Sequence, residues 1–572
     1  MISSVSDIIP HKFRKRTIGV VFTILLRALL NFAGLALLIP ILALILDSGN
    51  ITPQSCLGRI YNSLGFESYD SFTIAVCLGI TLFTIAKCLA GLWLYRIERD
   101  YIHSLYKYLS ERLFVKYHNR GLSFIKGSNS AILARNVNVV CLAFVTGVLK
   151  PLASMASELL LLLLLFSAVA VYSPPTALFI VVIFLPTVWL YYHLVRNRLN
   201  RYGTEENDAQ RRKARTVAET FRGYADIEIG NAFPQMMRRF EDAMRSVIRV
   251  RAKNATVAML PQIFTEVGLV AGMSALVIVN LRLGSDDLRL LFGILAVAAI
   301  RLMPSVRNIM YGWASIRYNL YTTDVLREAD IKDDDICYDT SDDRFRFART
   351  IEVRDVSFRF DDAAEDTLHD LSLSIGKGER VGIRGESGVG KTTLFNLLLG
   401  FYSPTRGTIS IDGEPLTDDN RRKWQNSIGY VSQNVFITDS TIAANIALAD
   451  DPEKIDRQRL EQVLIAADLK HFVDTLPHGV DTSIGEAGNR LSGGQRQRIG
   501  IARALYKDCD VLFFDEATSS LDSRTEANIN EAIRRLSEHN KQLTIVVIAH
   551  RESSLEYCDR IITLTDKKQR SI

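Results

Sequence analysis

Six long apolar stretches, roughly 17–46, 72–95, 141–172, 175–195, 255–281 and 288–314, dominate the first 315 residues of this 572-residue chain. Each reaches about the 20 residues that an α-helix needs to cross the hydrocarbon of a bilayer. In lipid the backbone must satisfy its own polar groups, so runs of this kind fold as helices. The third and fourth meet at "YSPPTA", where paired prolines suit a tight turn between antiparallel helices. Arg and Lys crowd 96–140 and 196–253 and are nearly absent from 47–71, 173–175 and 281–287. The positive-inside rule therefore puts the N-terminus and both long basic loops in the cytoplasm. Those loops themselves read as helical, for example "RRKARTVAETFRGYADIEIGNAF", so the spans are expected to continue as helices beyond the membrane. Lys12, Arg14, Lys15 and Arg16 before the first run superficially resemble a signal peptide. That run is too long for an h-region and lacks an A-x-A site, so it reads as a retained span.

Composition narrows the class further. The 48% hydrophobic content is high for a soluble protein, and most of the excess precedes residue 315. A net charge of +5 is small for this length and points to no nucleic-acid partner. Cys56, Cys77, Cys88, Cys141, Cys337, Cys509 and Cys558 are scattered without a CxxC pair, which supports neither a disulfide framework nor a zinc site. After Ser315 the pattern changes. "EADIKDDDICYDTSDDRF" reads as a solvated acidic linker, and "IEVRDVSFRF" opens a soluble domain of alternating strands and helices. The expected organisation is a membrane α-helical domain over 1–328, a linker over 329–345 and an α/β domain over 346–572.

In the soluble domain "RVGIRGESGVGKTTLFNLLLG" follows a strand and opens a helix. Gly385, Glu386, Ser387, Gly388, Val389, Gly390, Lys391 and Thr392 fit G-x-x-x-x-G-K-[ST] in the required strand–loop–helix context, with Thr393 next. Glycines let backbone N–H groups turn inward around phosphate oxygens, and the helix N-terminus adds its dipole. Lys391 is expected to reach the β- and γ-phosphates, and Thr392 to supply a hydroxyl to Mg²⁺. Downstream, "DVLFFDEATSSLD" is an apolar strand ending in two carboxylates. Asp515 would hold the Mg²⁺ shell and Glu516 would polarise an attacking water, since phosphoryl transfer needs mostly positioning and charge stabilisation.

Between them lies "LSGGQRQRIGIARAL". With the phosphate loop, "DEATSSLD", Gln433 in "YVSQNVF" and His550 in "VIAHR", this set resembles the ATPase domain of ABC transporters over 350–565. The resemblance implies two such domains sandwiching two ATPs. Ser492, Gly493 and Gly494, with Gln495 following, would bind the γ-phosphate held by the partner's phosphate loop. A serine hydroxyl and glycine amides at a helix start do make an anion site in their own right. Gln433 would bridge Mg²⁺ and the membrane half, Asp522 would contact across the dimer, and His550 would hold the γ-phosphate. Two positions depart from the family pattern. Phe360 stands where the adenine-stacking residue is commonly tyrosine; stacking needs only a ring face, although Phe360 serves equally as strand core. Ala487 in "TSIGEAG" stands where arginine is common.

Six spans and one ATPase domain resemble an exporter-type half-transporter, which implies a homodimer in a membrane, most simply a bacterial inner membrane with its ATPase in the cytoplasm. "FRGYADIEIGNAF" and "GLSFIKGSNS" would lie near its two coupling helices. On a helical wheel Arg301, Ser305, Asn308 and Gly312 fall within about 60° of one another. Arg27, Lys87 and Lys150 head similar polar stripes in the first three spans. Glu158 and Glu266 are the obvious internal partners, and pairing with them would make these cations helix-packing devices. Four cations against two acids favour instead a hydrated cavity that accepts an anion. Pro304 beside Arg301 would also free a carbonyl. Leu57, Ile60, Tyr61 and Leu64 share one face of the long outer loop, as in a short amphipathic helix. That loop and "RLMPS" in the sixth span resemble the flippases of lipid-linked oligosaccharides, which implies a polyprenyl-pyrophosphate glycan as cargo. An exporter of another lipid, a peptide or a drug, and a membrane-anchored regulatory ATPase, are the alternatives.

Overall fold

A computed structural model describes residues 8–37, 61, 63, 68–172, 174–283, 288–329, 343–360, 363–449, 451–516, 523–549 and 551–565. It divides into two compact units, 1–336 and 337–572.

Among the described residues the N-terminal unit is built on six long helices: α1 (His11–Ala36), α2 (Tyr69–Asn119), α3 (Lys150–Tyr172), α4 (Pro174–Arg222), α5 (Phe233–Leu283) and α6 (Leu288–Tyr318). As expected from the basic loops, the helices run on past their apolar segments, and α2 and α5 each extend for 51 residues. At 1.5 Å per residue that is about 75 Å, well over twice the ~30 Å hydrocarbon thickness. The turn at "YSPPTA" falls where the prolines place it, with Pro174 opening α4 at a position where a missing N–H costs nothing. Among the described residues four helical segments are long and apolar enough to cross a membrane: His11–Gly34, Asp70–Asn119, Ser130–Val171 and Phe233–Ala275. Their surfaces are inverted relative to a soluble protein. Ile18, Phe22, Leu82, Trp93 and Leu163 are all more than half exposed, an arrangement that water penalises and lipid favours. Leu57, Ile60 and Leu64 of the outer loop lie outside the described residues. Tyr61 is described, and its ring meets Phe72 of α2 edge-on at 5.2 Å.

Below the apolar segments the packing becomes conventional. Leu105, Leu109 and Leu113, one helical turn apart on α2, are fully buried against Cys141, Phe144, Val145 and Val148. The stretch leading into α3 contains two five-residue π-helical segments, Asn136–Val140 and Val145–Leu149, which no feature of the sequence pattern announced. Close approaches hold the end of α6 and the residue after it in place. A Cβ on Gly203 of α4 would lie 1.8 Å from the Tyr318 carbonyl oxygen, and one on Gly147 would lie 2.4 Å from the Asn319 side-chain Nδ2.

The C-terminal unit is α/β. Strands β1 (Thr350–Phe358), β2 (Leu368–Gly376), β4 (Arg406–Ile411) and β5 (Glu414–Pro415) form an antiparallel sheet in the order β2-β1-β4-β5. Strands β3 (Arg380–Gly385), β6 (Ile428–Val431), β7 (Val511–Asp515), β8 (Thr544–Ile548) and β9 (Arg560–Leu564) form a parallel sheet ordered β6-β7-β8-β3-β9. Every residue of β7 and β8 is buried, as continuous apolar strands in a parallel sheet should be. Helices α7 (Lys391–Leu398), α8 (Gly493–Tyr506) and α9 (Ser523–His539) complete the parts that position the site.

Candidate functional site

All strands of the five-stranded sheet run the same way, so the loops leaving β3, β6, β7 and β8 emerge at one edge. Open parallel sheets bind ligands at this carboxyl edge. The phosphate loop follows β3, Gln433 follows β6, and Asp515 ends β7 with Glu516 next. The topology thus gathers described motifs more than 120 positions apart in sequence.

Within the loop, Gly388 has φ +87° and Gly390 has φ +98°, a region open to glycine at little cost. Gly390 has a second constraint: a Cβ there would sit 2.7 Å from Leu368 Cδ2. A Cβ on Gly388 would meet nothing within 4 Å, so that side of the loop is open to an incoming group. Gly390 caps α7, whose first-turn N–H groups have no intrahelical acceptor and suit an anion. Lys391 is 6% exposed and its Nζ donates to the carbonyls of Gly385 and Glu386 at 2.8 and 2.9 Å. Glu386, Ser387 and Thr392 are exposed, Val389 is half-buried and Thr393 is buried.

Asp515 is buried at the tip of β7, where the Tyr430 hydroxyl donates to its Oδ2 at 3.4 Å. Burial and the neighbouring carboxylate push the Tyr430 phenol up, so it stays a donor. Glu516 takes a left-handed backbone, φ +50°, while its N–H still donates to Ile548 O on β8 at 3.0 Å. This turn brings its carboxylate to Gln433, whose Nε2 donates to Oε2 at 2.7 Å. Thr392 hydroxyl, Asp515 carboxylate and Gln433 amide oxygen are hard oxygen donors of the kind Mg²⁺ takes from a protein when phosphates supply the rest.

Ser492 caps α8 in a complete capping box: its Oγ accepts from Gln495 N at 3.2 Å, and its N–H donates to Gln495 Oε1 at 2.8 Å. The hydroxyl proton is left for another acceptor. Gly493 is exposed beside it, and a Cβ there would meet nothing within 4 Å. Gly494 and Gln495 are half-buried in the first turn. Phe360 lies beyond the end of β1 and is half-buried, its ring edge-on to Phe358 at 4.9 Å and to Tyr402 at 5.7 Å. The cluster braces the ring outside the strand. Ala487 has φ +52°. Asp522 and His550 lie outside the described residues.

One residue that motif reading passed over is Glu526 on α9. It is 4% exposed and accepts hydrogen bonds from Arg551 at 2.6 Å, from Ser553 at 3.1 Å and from Ser554. Burial alone would raise its pKa, but these hydrogen bonds outweigh it and hold the carboxyl below its ordinary value. It ties the helix after "DEATSSLD" to the segment after His550.

The cations of the membrane unit sort differently from expectation. Arg27 donates to Glu98 at 2.8 Å, and Glu98 is only 6% exposed. The internal partner is therefore Glu98, three residues past the expected end of the second span, and neither Glu158 nor Glu266. Glu158 instead accepts from Ser305 Oγ at 2.7 Å and Asn308 Nδ2 at 3.1 Å, while Glu266 accepts from Gln262 at 2.9 Å. Gly312 faces Met155, with a Cβ there 2.5 Å from its Cγ. The stripe Ser305–Asn308–Gly312, expected to line a hydrated cavity, thus packs α6 on α3. Lys87 is half-buried against Gly34, whose added Cβ would meet its Nζ at 2.7 Å, and Lys150 is exposed. Among the described residues neither lysine has an ion-pair partner. The side chain of Arg301 lies outside the described residues.

A phosphate loop and a β7 carboxylate pair on one sheet edge, with a capped signature helix in the same unit, define a P-loop ATPase unit, carried here on a helical membrane-type unit. Residues 368–519 match the ABC transporter family, and the C-terminal unit is an ABC transporter domain. The fold is that of an ABC exporter: a bacterial Atm1-family ABC exporter with ATP bound superposes with a TM-score of 0.79, covering 98% of this chain and 95% of that one at 22% identity. The chain is also similar to the ATP-dependent lipid A-core flippase of Burkholderia pseudomallei (strain 1710b), 33% identical over 404 residues, or 68% of this chain and 65% of the relative. The relative of that name from Ralstonia nicotianae (strain ATCC BAA-1114 / GMI1000) is 47% identical over 210 residues, 36% of this chain and 35% of the relative. The matches thus span about two thirds or less of these relatives' length.

Proposed function

We propose that this protein is a homodimeric ATPase that exports an anionic lipid-linked glycan across a bacterial inner membrane. The membrane half is taken as 1–328 and the ATPase half as 346–572, joined by the acidic segment 329–345. The convergence of three described motifs (the phosphate loop, Gln433 and the Asp515–Glu516 pair) on one sheet edge is the observation that carries the ATPase reading. In this reading Lys391 and the loop amides bind the β- and γ-phosphates, and Phe360 stacks on adenine. Glu516 releases Gln433 and orients water, with His550 against the γ-phosphate. Thr392, Asp515 and Gln433 hold Mg²⁺, which neutralises charge developing on the phosphates. Ser492, Gly493 and Gly494 complete the partner's site, with Asp522 across the interface.

The cargo reading is supported by the exposed apolar helices, by Lys87 and Lys150, and by relatives named as flippases of a glycolipid. Arg301 joins them as a cargo cation, whereas Arg27 is engaged by Glu98. A polyprenyl-pyrophosphate glycan supplies the anion these cations require. The test is translocation in proteoliposomes. Purified protein with ATP should move a fluorescent polyprenyl-pyrophosphate glycan between leaflets, and Arg301→Ala should slow it sharply, with partial recovery in Arg301→Lys. ATP hydrolysis without translocation of any lipid would overturn the transport reading. Movement of other lipids but not of this one would overturn the cargo.

A further inference from the structure

We propose that the N-terminal unit binds a sugar phosphate in a cavity walled by α4, α5, the end of α6 and the π-helical stretch before α3. Its biological meaning rests on the glycolipid reading above; its chemistry does not. The cavity measures about 700 Å³, inside the ~300–1,000 Å³ range of pockets that enclose small ligands. Arg135, Glu206, Gln210, Arg251, Asn254 and Tyr318 line it. All lie on the basic, cytoplasmic side by the distribution of Arg and Lys.

The charges do not balance. Glu206 accepts from Arg251 Nε at 2.7 Å, which pairs one cation. Arg135 donates to the neutral Asn207 Oδ1 at 2.7 Å and gains no counter-charge from it. Arg211 adds a third guanidinium within electrostatic reach of Arg135, and its Nε is buried without a hydrogen-bond partner among the described residues. Three guanidiniums thus share one carboxylate. Partly buried cations in excess of their counter-charge are costly, and an anion relieves that cost. A guanidinium fork suits phosphate in particular, because two parallel N–H donors match two of its oxygens.

The remaining lining selects what the phosphate is attached to. Gln210, Asn254 and Asn319 present carboxamides that both donate and accept, and Tyr318 and Tyr321 add phenols. Such groups match the hydroxyls of a sugar. The Tyr318 hydroxyl is itself buried without a partner among the described residues. Bare phosphate would leave most of the 700 Å³ unfilled, and a neutral sugar would leave the excess guanidinium charge uncompensated. Ala143 and Ala214 keep the walls low enough for a ring to fit.

The test uses the full-length protein in phosphatidylcholine nanodiscs, titrated calorimetrically with glucose 1-phosphate, inorganic phosphate and glucose. Glucose 1-phosphate should bind saturably, phosphate more weakly by on the order of tenfold, and glucose not at all. Arg135→Gln should weaken glucose 1-phosphate by roughly tenfold. Ala214→Phe fills the space without removing a charge and should abolish binding. Gel filtration and thermal unfolding verify that each variant is folded; if Arg135→Gln is not, Ala214→Phe and Gln210→Ala carry the test. Binding that ignores Ala214→Phe overturns the site, and equal affinity for phosphate and glucose 1-phosphate overturns the sugar. Competition with polyprenyl-phosphate-linked glucose separates the sources: displacement assigns the cavity to a lipid headgroup, and its absence to a free sugar phosphate. Binding without glycolipid transport would strike the proposed function alone. Transport without binding would strike this site alone.

Discussion

At the residue scale Glu516 is the carboxylate proposed to orient the attacking water. Glu516 is turned out of β7 by its left-handed backbone and held by Gln433 at 2.7 Å. Glu516→Gln keeps the size and loses the charge, so it should retain ATP binding while turnover falls by about 10²-fold or more. Fluorescent-nucleotide binding and phosphate release measured side by side check this, and unchanged turnover would remove Glu516 from the chemistry. Arg27 invites a different experiment. Because Glu98 is 6% exposed, Arg27→Ala leaves a carboxylate stranded and should lower stability by about 3 kcal/mol. Thermal unfolding of the single and double variants should show that adding Glu98→Gln restores part of the loss. Impaired flipping with no loss of stability would put Arg27 on cargo instead.

At the element scale, what could be read from the sequence follows from how local its cause is. The helices of the membrane unit and the loop from Gly385 to Thr392 were legible because lipid and phosphate each impose a contiguous pattern. The turn at "YSPPTA" was legible for the same reason. The Arg27–Glu98 pair joins two different helices beyond the apolar stretch of the second, and sequence spacing does not show which faces meet. The inward stripe of α6 was correctly found as a stripe, but periodicity cannot say that α3 is what it faces. The π-helical segments and the cavity beside them depend on packing between four helices and leave no local signature. Glu526 is a similar case, since its partners at 551–554 arrive through the sheet. With its pKa lowered on folding, its contribution is fully present above the ordinary glutamate range and is lost as pH falls through the depressed value. Glu526→Gln should therefore lower the melting temperature of the protein at pH 7 and narrow the gap to wild type under acid. An equal deficit at every pH would argue against an ionic role.

At the scale of the whole molecule one chain carries a phosphate loop and a signature serine that, in the proposed dimer, belong to different sites. Ser492 has a hydroxyl proton to give, and its capping box fixes the oxygen that carries it. Lys391→Ala disables one site from the loop side, and Ser492→Arg disables it from the signature side. Dimers mixed from these two single variants concentrate both lesions in one site and leave the other intact. They should hydrolyse ATP faster than either homodimer of variants, as measured on tandem-tagged heterodimers. No recovery in the mixed dimer would mean that each chain works alone. The loop has a consequence in time as well. Lys391 is already bonded to the carbonyls of Gly385 and Glu386, so ATP must compete for it before gaining its own contacts. Association that waits on a rearrangement falls below the diffusional rate. In stopped-flow mixing the observed rate should climb with ATP and then level off, at a ceiling set by how often the lysine lets go.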